Sequence, residues 1–325
     1  MKAMVIKAQG GLDNLIFEDW PDPEPGPGEV LVRVRACGLN HLDIFVRKGM
    51  PGMPVPMPFI SGGDIAGEVA GLGAGAEGWR IGERVLINPS TPKGMLGEQI
   101  PGGMAEYVCA PDACLLRIPD GVSFEAAACL PVAYGTAYRM LIDRGRVQPR
   151  ETVLILGASG GVGTAAVQIA KMIGAEVLAA AGSTEKLDRL RALGADHLID
   201  YTKDDFSREA WRISGKQGVD VVVNFTGGDT WVPSLRALKH HGRLLTCGAT
   251  AGFAPPEDIR YIWRRELAII GCDGWTTEGI ATLLELVAAG RIKPILSHVL
   301  PLSEGREAEW LIEQRAIFGK VVLVP

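Results

Sequence analysis

The hydrophobic rhythm of the chain changes near residue 124. Before it, short alternating runs predict strands over Met1 to Ile6, Glu29 to Ala36, Ile65 to Leu72, Arg84 to Ile87, Ala105 to Ala110 and Cys114 to Ile118. The second of these reads V-L-V-R-V-R, apolar against polar at period two. Between the first two, Pro21-Asp-Pro-Glu-Pro-Gly-Pro-Gly28 excludes both helix and central strand and is expected to be a stiff connection. Such a region predicts a compact, largely antiparallel barrel.

After residue 124 the period lengthens. Glu125 to Leu141 is alanine-rich and helical in character. Strands over Thr152 to Leu156, Glu176 to Ala181, Val219 to Asn224, Arg243 to Cys247 and Leu267 to Gly271 alternate with helices over Gly161 to Ile173, Thr184 to Leu193 and Thr230 to Leu238. Strands alternating with helices predict a doubly wound parallel sheet. Helices near Thr277 to Ala289 and Glu304 to Glu313, and a strand over Val321 to Val324, stand apart and are free to return to the first domain. The fold class is therefore α/β, a β-barrel domain joined to a parallel-sheet domain, with expected boundaries of 1–133, 134–270 and 271–325. The length of 325 residues agrees with two domains, at about 150 residues each.

Charge and composition narrow the partners. With 33 Lys and Arg against 38 Asp and Glu, the net charge of -5 argues against nucleic acid as the main partner. No run approaches the roughly 18 apolar residues of a membrane helix. The first residues lead straight into a strand and do not read as a signal peptide, so a cytoplasmic protein is expected. The 6 cysteines form no C-x-x-C pair and read as reduced, structural residues.

The chemistry begins at Gly157-Ala-Ser-Gly-Gly-Val-Gly163, which follows a buried strand and opens a helix. Small residues there let the backbone approach a pyrophosphate, and the helix N-terminus favours its charge. Ser159, Gly160, Gly161, Val162 and Gly163 are the candidate contacts. An NAD site places Asp or Glu near the end of the next strand, about 20 residues on, to hold the ribose 2′-OH. Here that strand ends Ala180-Ala181-Gly182-Ser183, with Lys186 close behind. A hydroxyl and a cation without an acid suit a 2′-phosphate, which points to NADPH. Glu185 lies beyond the strand end.

Together with that loop, Gly26-Pro-Gly-Glu-Val-Leu-Val-Arg33, Gly38-Leu-Asn-His-Leu-Asp43, Gly62-Gly-Asp-Ile-Ala-Gly67, Gly82-Glu-Arg-Val85 and Phe318-Gly-Lys-Val-Val322 resemble the medium-chain dehydrogenase/reductase superfamily along essentially the whole chain. The resemblance implies a GroES-like catalytic domain built from both ends of the chain around an inserted Rossmann domain, a cleft between them, and a homodimer joined by Rossmann edge strands near Leu267 to Gly271. Zinc-dependent members carry ligands where this chain has Asn40, Gly63 and, for the third, a position near Val132. The segment Asn88 to Met104 lacks the four cysteines of the structural zinc lobe. Cys37 and His41 are four apart, but Gly38-Leu39-Asn40 between them reads as a turn rather than a metal site.

Without zinc the alcohol-oxidising Lewis acid is missing. The chain thus resembles the zinc-free quinone oxidoreductase (zeta-crystallin-like) branch, which implies an enzyme that reduces quinones or α,β-unsaturated carbonyls, a small planar electrophilic substrate, with NADPH. The same resemblance implies roles for Asn40 and Thr136 beside the nicotinamide, for Ser183, Lys186 and Tyr201 around the 2′-phosphate, for Cys247, Gly248 and Ala249 in a loop passing the cofactor, and for Lys320 near the pyrophosphate. Asn40, Asp43 and Asp64 are the candidate catalytic groups, and Phe45, Met50 and Tyr134 the candidate substrate contacts. Relatives that place a tyrosine after the Gly49 position differ from this chain, which has Met50-Pro51 in a methionine- and proline-rich rim. The alternatives are a zinc-type alcohol dehydrogenase with substituted ligands and an NADPH-binding protein without turnover.

Overall fold

The computed structural model describes every residue except Pro51 and Met53. The chain divides into two units, Met1–Val132 with Ile280–Pro325, and Ala133–Gly279. No helix among the described residues is long and apolar enough to cross a membrane.

The first unit is built on a seven-stranded sheet. Its path runs Leu296–Pro301, Lys320–Val324, Glu29–Gly38, Asp64–Leu72, Arg84–Ile87 and Leu115–Arg117, with Tyr107–Pro111 also paired to Glu29–Gly38. Only the Leu296–Pro301 and Lys320–Val324 pair is parallel. The alternation in the sequence has a direct outcome. Val30, Val32 and Val34 are buried in the core with Ile65, Val85 and Leu323, while Arg33 and Arg35 face out. An antiparallel pair, Lys2–Ile6 with Leu15–Asp19, bridges to this body at Ala3–Ala105 and Ile6–Phe59. The strand Lys320–Val324 pairs antiparallel with the end of Glu29–Gly38, Val322 opposite Gly38 and Leu323 opposite Cys37. That register carries the far end of the chain to residues 38–40.

The helix His41–Lys48 was not foreseen in the sequence. It packs on the helix Gly305–Glu313, and a fully buried Arg47 donates to Glu309 and to Glu313, each at 2.6 Å.

The second unit holds a six-stranded parallel sheet in the order His197–Asp200, Glu176–Ala181, Thr152–Ile155, Val219–Val223, Leu238–Thr246, Ala268–Gly271. Its core includes Leu154, Leu178, Ile199, Val222, Leu235 and Leu244. The helix Gly161–Ile173 and the strand Glu176–Ala181 have their expected bounds. The strand His197–Asp200 and the helices Phe206–Ile213 and Ile259–Arg265 are additions.

Two expectations change. The continuous helix over Glu125 to Leu141 is instead a series of short pieces: Phe124–Ala127, a π-helical turn at Leu130–Tyr134, Gly135–Tyr138, and a second π-helical turn at Arg139–Arg144. Pro131 has no N–H for an i−4 bond and its ring crowds the preceding turn, so a regular helix cannot pass through it. The return to the first unit begins at Ile280, not at 271. Residues 271–279 stay with the second unit, where Arg139 donates to the Asp273 carbonyl at 2.6 Å and Arg144 to the Gly271 carbonyl at 3.3 Å.

Candidate functional site

In the second unit the strand Thr152–Ile155 leads into a tight turn. Gly157 takes φ +59°, and Gly160 donates its N–H back to the Gly157 carbonyl at 3.0 Å. Gly160 caps the helix Gly161–Ile173 with no side chain involved, so the first-turn N–H groups have no intrahelical acceptor. Thr164 fastens the turn by donating its hydroxyl to the Gly160 carbonyl at 3.0 Å. A Cβ on Gly163 would fall on the Gly157 carbonyl oxygen and within 2.6 Å of the Ala158 backbone, so helix and turn meet only because this residue is glycine. The result is a small-walled cradle of N–H groups at a positive helix end, which fits a dinucleotide pyrophosphate. Ser159 and Val162 are half-buried beside it.

The next strand ends in a second polar cluster. The Ser183 hydroxyl accepts the Lys186 N–H at 3.3 Å and caps the helix Thr184–Ala192. Ala181 pairs in parallel with Asp200, which brings Tyr201 alongside. The two are so close that a Cβ on Gly182 would lie 2.7 Å from the Tyr201 hydroxyl oxygen. Sequence reasoning placed Ser183, Lys186 and Tyr201 around one group, and the register sets Ser183 and Tyr201 at the ends of adjacent strands. Asp200 is tied up elsewhere. Hydrogen bonds from Lys203 and Thr202 hold its carboxyl at about 2. Glu185 is exposed to solvent.

The first unit contributes a buried charged cluster around Asn40. Asp64 has no exposed surface, and Lys320 keeps only 2%. The Lys320 ammonium donates to the Leu39 carbonyl at 2.7 Å, to Asn40 Oδ1 at 2.6 Å and to Asp64 Oδ2 at 2.8 Å. Asp64 Oδ2 also accepts from Asn40 Nδ2 at 2.9 Å, and its Oδ1 accepts the Val132 N–H at 2.7 Å. Nearby, Asp43 accepts the Asn40 N–H at 2.7 Å and the Gly62 N–H at 2.9 Å. Burial pushes the Asp43 carboxyl up to about 7, helped by the Glu309 and Asp64 charges and opposed by the Asn40 N–H and the Lys320 ammonium. Burial likewise raises the Cys37 thiol well above its usual range.

These contacts bear on several of the expected roles. Lys320 was expected near the pyrophosphate, but all three of its N–H bonds are spent inside the first unit. Asp43 and Asp64, expected among the catalytic groups, are both buried, and each carboxylate oxygen accepts a hydrogen bond. Tyr134, expected to touch substrate, is fully buried with its hydroxyl accepting from Gln168 at 3.1 Å. Thr136 is buried in the short helix Gly135–Tyr138. Phe45 is half-buried and set edge-on to His41, ring centres 4.9 Å apart. Met50 is half-buried, while Pro51 and Met53 of the expected rim lie outside the described residues. In the loop after Leu238–Thr246, burial pushes the Cys247 thiol up to about 12, Gly248 is exposed and Ala249 is half-buried. Sequence reasoning missed the Lys320–Asp64 pair, whose partners stand 256 residues apart. Among the described residues, no three His, Cys, Asp or Glu are grouped to hold a metal ion.

Comparison with known proteins gives matches over both units. An alcohol dehydrogenase GroES-like domain family matches residues 26–120, and a zinc-binding dehydrogenase family matches residues 161–289. The chain is 32% identical to the human synaptic vesicle membrane protein VAT-1 homolog, over 100% of this chain and 86% of that protein. It is 29% identical to human quinone oxidoreductase, over 100% of this chain and 98% of that one. Among solved structures, an NAD-dependent alcohol dehydrogenase superposes with a TM-score of 0.95 at 39% identity, covering 100% of both chains. A mycobacterial protein complexed with NADPH superposes with a TM-score of 0.88 at 28% identity, again over 100% of both.

Proposed function

Because the chain belongs to the medium-chain dehydrogenase/reductase superfamily, in its quinone oxidoreductase-like branch, we propose that it reduces quinones or α,β-unsaturated carbonyls with NADPH and without a catalytic zinc. The observation that carries this reading is the Lys320 ammonium. It lies 2.6 Å from Asn40 Oδ1, at one of the positions where the resemblance sets a zinc ligand in metal-dependent members. A fixed buried cation repels a second one. The other two such positions are Gly63, which has no side chain, and Val132, which offers only its N–H, to Asp64.

On this reading the pyrophosphate rests on the N–H groups of Gly161, Val162 and Gly163, since the Gly160 N–H is spent on the Gly157 carbonyl. Ser183, Lys186 and Tyr201 would receive the 2′-phosphate, since Asp200 is engaged by Lys203 and Glu185 faces solvent. The bound nicotinamide supplies the hydride. The protein binds, orients and excludes water, and with Asp43 and Asp64 engaged the proton is taken from water. A homodimer through the edge strand Ala268–Gly271 belongs to the same proposal. It is supported by the large apolar residues Ile259 and Trp263, 62% and 63% exposed, on the helix just before that strand.

The test is NADPH oxidation followed at 340 nm against quinones, enones and enoyl thioesters, with NADH as control and metal analysis of the same preparation. Turnover of at least one carbonyl class with preference for NADPH, and far less than one zinc per chain, is the expected result. About one tightly held zinc with alcohol oxidation, or equal use of NADH, overturns it. Background oxidation across the whole panel points to a binding protein instead.

A further inference from the structure

The Asn40 carboxamide sits between two opposite charges. Its Oδ1 accepts from the Lys320 ammonium at 2.6 Å, and its Nδ2 donates to Asp64 Oδ2 at 2.9 Å. Turning the amide over would set its NH₂ against an ammonium and its oxygen against a carboxylate, two like contacts in a dry site. The amide therefore has one allowed face. Its neighbours are fixed in turn, Asp64 by the Val132 N–H at 2.7 Å and Lys320 by the Leu39 carbonyl at 2.7 Å. Asn40 itself is half-buried. Among the described residues, its second Nδ2 hydrogen faces only the Gly38 carbonyl, at 3.5 Å, the outer limit of a hydrogen bond.

We propose that this Nδ2 hydrogen donates to the carbonyl oxygen of the substrate, and that Asp64 and Lys320 are positioning residues that hold it there. The inference rests on the reading of the chain as a carbonyl-directed reductase and names the substrate group that Asn40 takes. As hydride leaves the reduced nicotinamide and forms a C–H bond at the β-carbon of an enone, the C=C electron pair shifts toward the carbonyl oxygen. A proton from water then completes the saturated ketone, two electrons and two protons added in all. An N–H aimed at that oxygen binds more tightly as charge gathers on it, which is the differential binding that lowers a barrier. The ammonium on the amide oxygen polarises the N–H further.

Replacing Lys320 alone would strand the Asp64 charge in the core. The test therefore exchanges the pair, Lys320→Met with Asp64→Leu, beside Asn40→Ala and the triple variant. Steady-state kinetics with an enone, NADPH titration by fluorescence and thermal melts are measured on each. The double variant is expected to bind NADPH as the wild type does while kcat falls about 10²-fold, the usual cost of one such donor. Asn40→Ala falls by a similar factor, and the triple variant falls no further, because the three residues act as one unit. Wild-type kcat in the folded double variant, or a triple-variant loss equal to the product of the two, overturns the proposal. Should the double variant not fold, Asn40→Asp decides. Its carboxylate accepts but cannot donate, so it must lose as much as Asn40→Ala, and retained activity is fatal. A wild-type chain without enone or quinone turnover sinks the functional reading and this inference together; normal wild-type turnover with undisturbed variants sinks the inference alone.

Discussion

Adding one methyl group at Gly163 is a sharp probe of the dinucleotide cradle. The new Cβ would fall on the Gly157 carbonyl oxygen and lie 2.6 Å from Ala158 backbone atoms. Unstrained carbon contacts are about 3.5–4.0 Å, so helix and turn must part by about 1 Å. Overpacking of this kind costs about 1–3 kcal/mol. Alanine's better helix propensity returns at most about 1 kcal/mol, so the steric effect wins and Gly163→Ala melts at a lower temperature. The same displacement pulls the N–H groups away from the pyrophosphate, and about 1 Å of misplacement is worth up to 10²-fold. The control is Gly160→Ala, whose Cβ would meet only the Gly157 oxygen at 3.6 Å, an ordinary contact, with φ at -80°. That variant is expected to keep the wild-type melting temperature. NADPH titration by fluorescence and thermal denaturation read both effects. A Gly163→Ala protein with unchanged melting temperature and unchanged NADPH affinity would refute the packing argument.

Three further outcomes are expected. Asp43 is held at about 7 against an ordinary 3.8, so the folded chain keeps a proton that the unfolded chain releases. Its stabilising effect is complete below about pH 4 and fades as pH rises toward 7, by on the order of 4 kcal/mol; urea unfolding at pH 4.5 and 7.5 should show a steeper decline in wild type than in Asp43→Asn, and equal declines contradict it. Arg47→Met leaves Glu309 buried and unpaired, with an Oε1 that already has no partner among the described residues. It should lose about 3–5 kcal/mol by urea denaturation, most of it recovered when Glu309→Leu is added. Ser183→Asp puts an acid at the strand end where a ribose diol is normally held. The ratio of kcat/KM for NADPH over NADH should fall at least about tenfold, from repulsion of the 2′-phosphate as well as attraction of the diol; an unchanged ratio places that phosphate elsewhere.

What could be read in advance follows the range of the forces involved. The glycine turn, the helix Gly161–Ile173 and the buried strands around it carry local signals, a positive-φ glycine and runs of valine, leucine and alanine, and both position and type were legible. The helix His41–Lys48 was hidden because Arg47, a residue usually at the surface, is buried by Glu309 and Glu313 from the far end of the chain. The helix Ile259–Arg265 was hidden for the opposite reason, since it turns Ile259 and Trp263 outward. Asn40 stood out as a candidate from the motif around it. Its orientation was not legible, because Lys320 and Asp64 are brought together by strand pairing rather than by neighbourhood in sequence. A buried ammonium leaves no local trace.

The pairing of Lys320–Val324 with Glu29–Gly38 also orders events during synthesis. A ribosome that has released residues 1–279 has supplied the whole parallel-sheet unit, which can assemble at once. The other unit must wait. Until the strand Lys320–Val324 docks, Asp64 has the Val132 N–H and the Asn40 amide beside it but not its cation. The buried ion pair of that unit is thus completed only by a lysine 256 residues downstream of its aspartate.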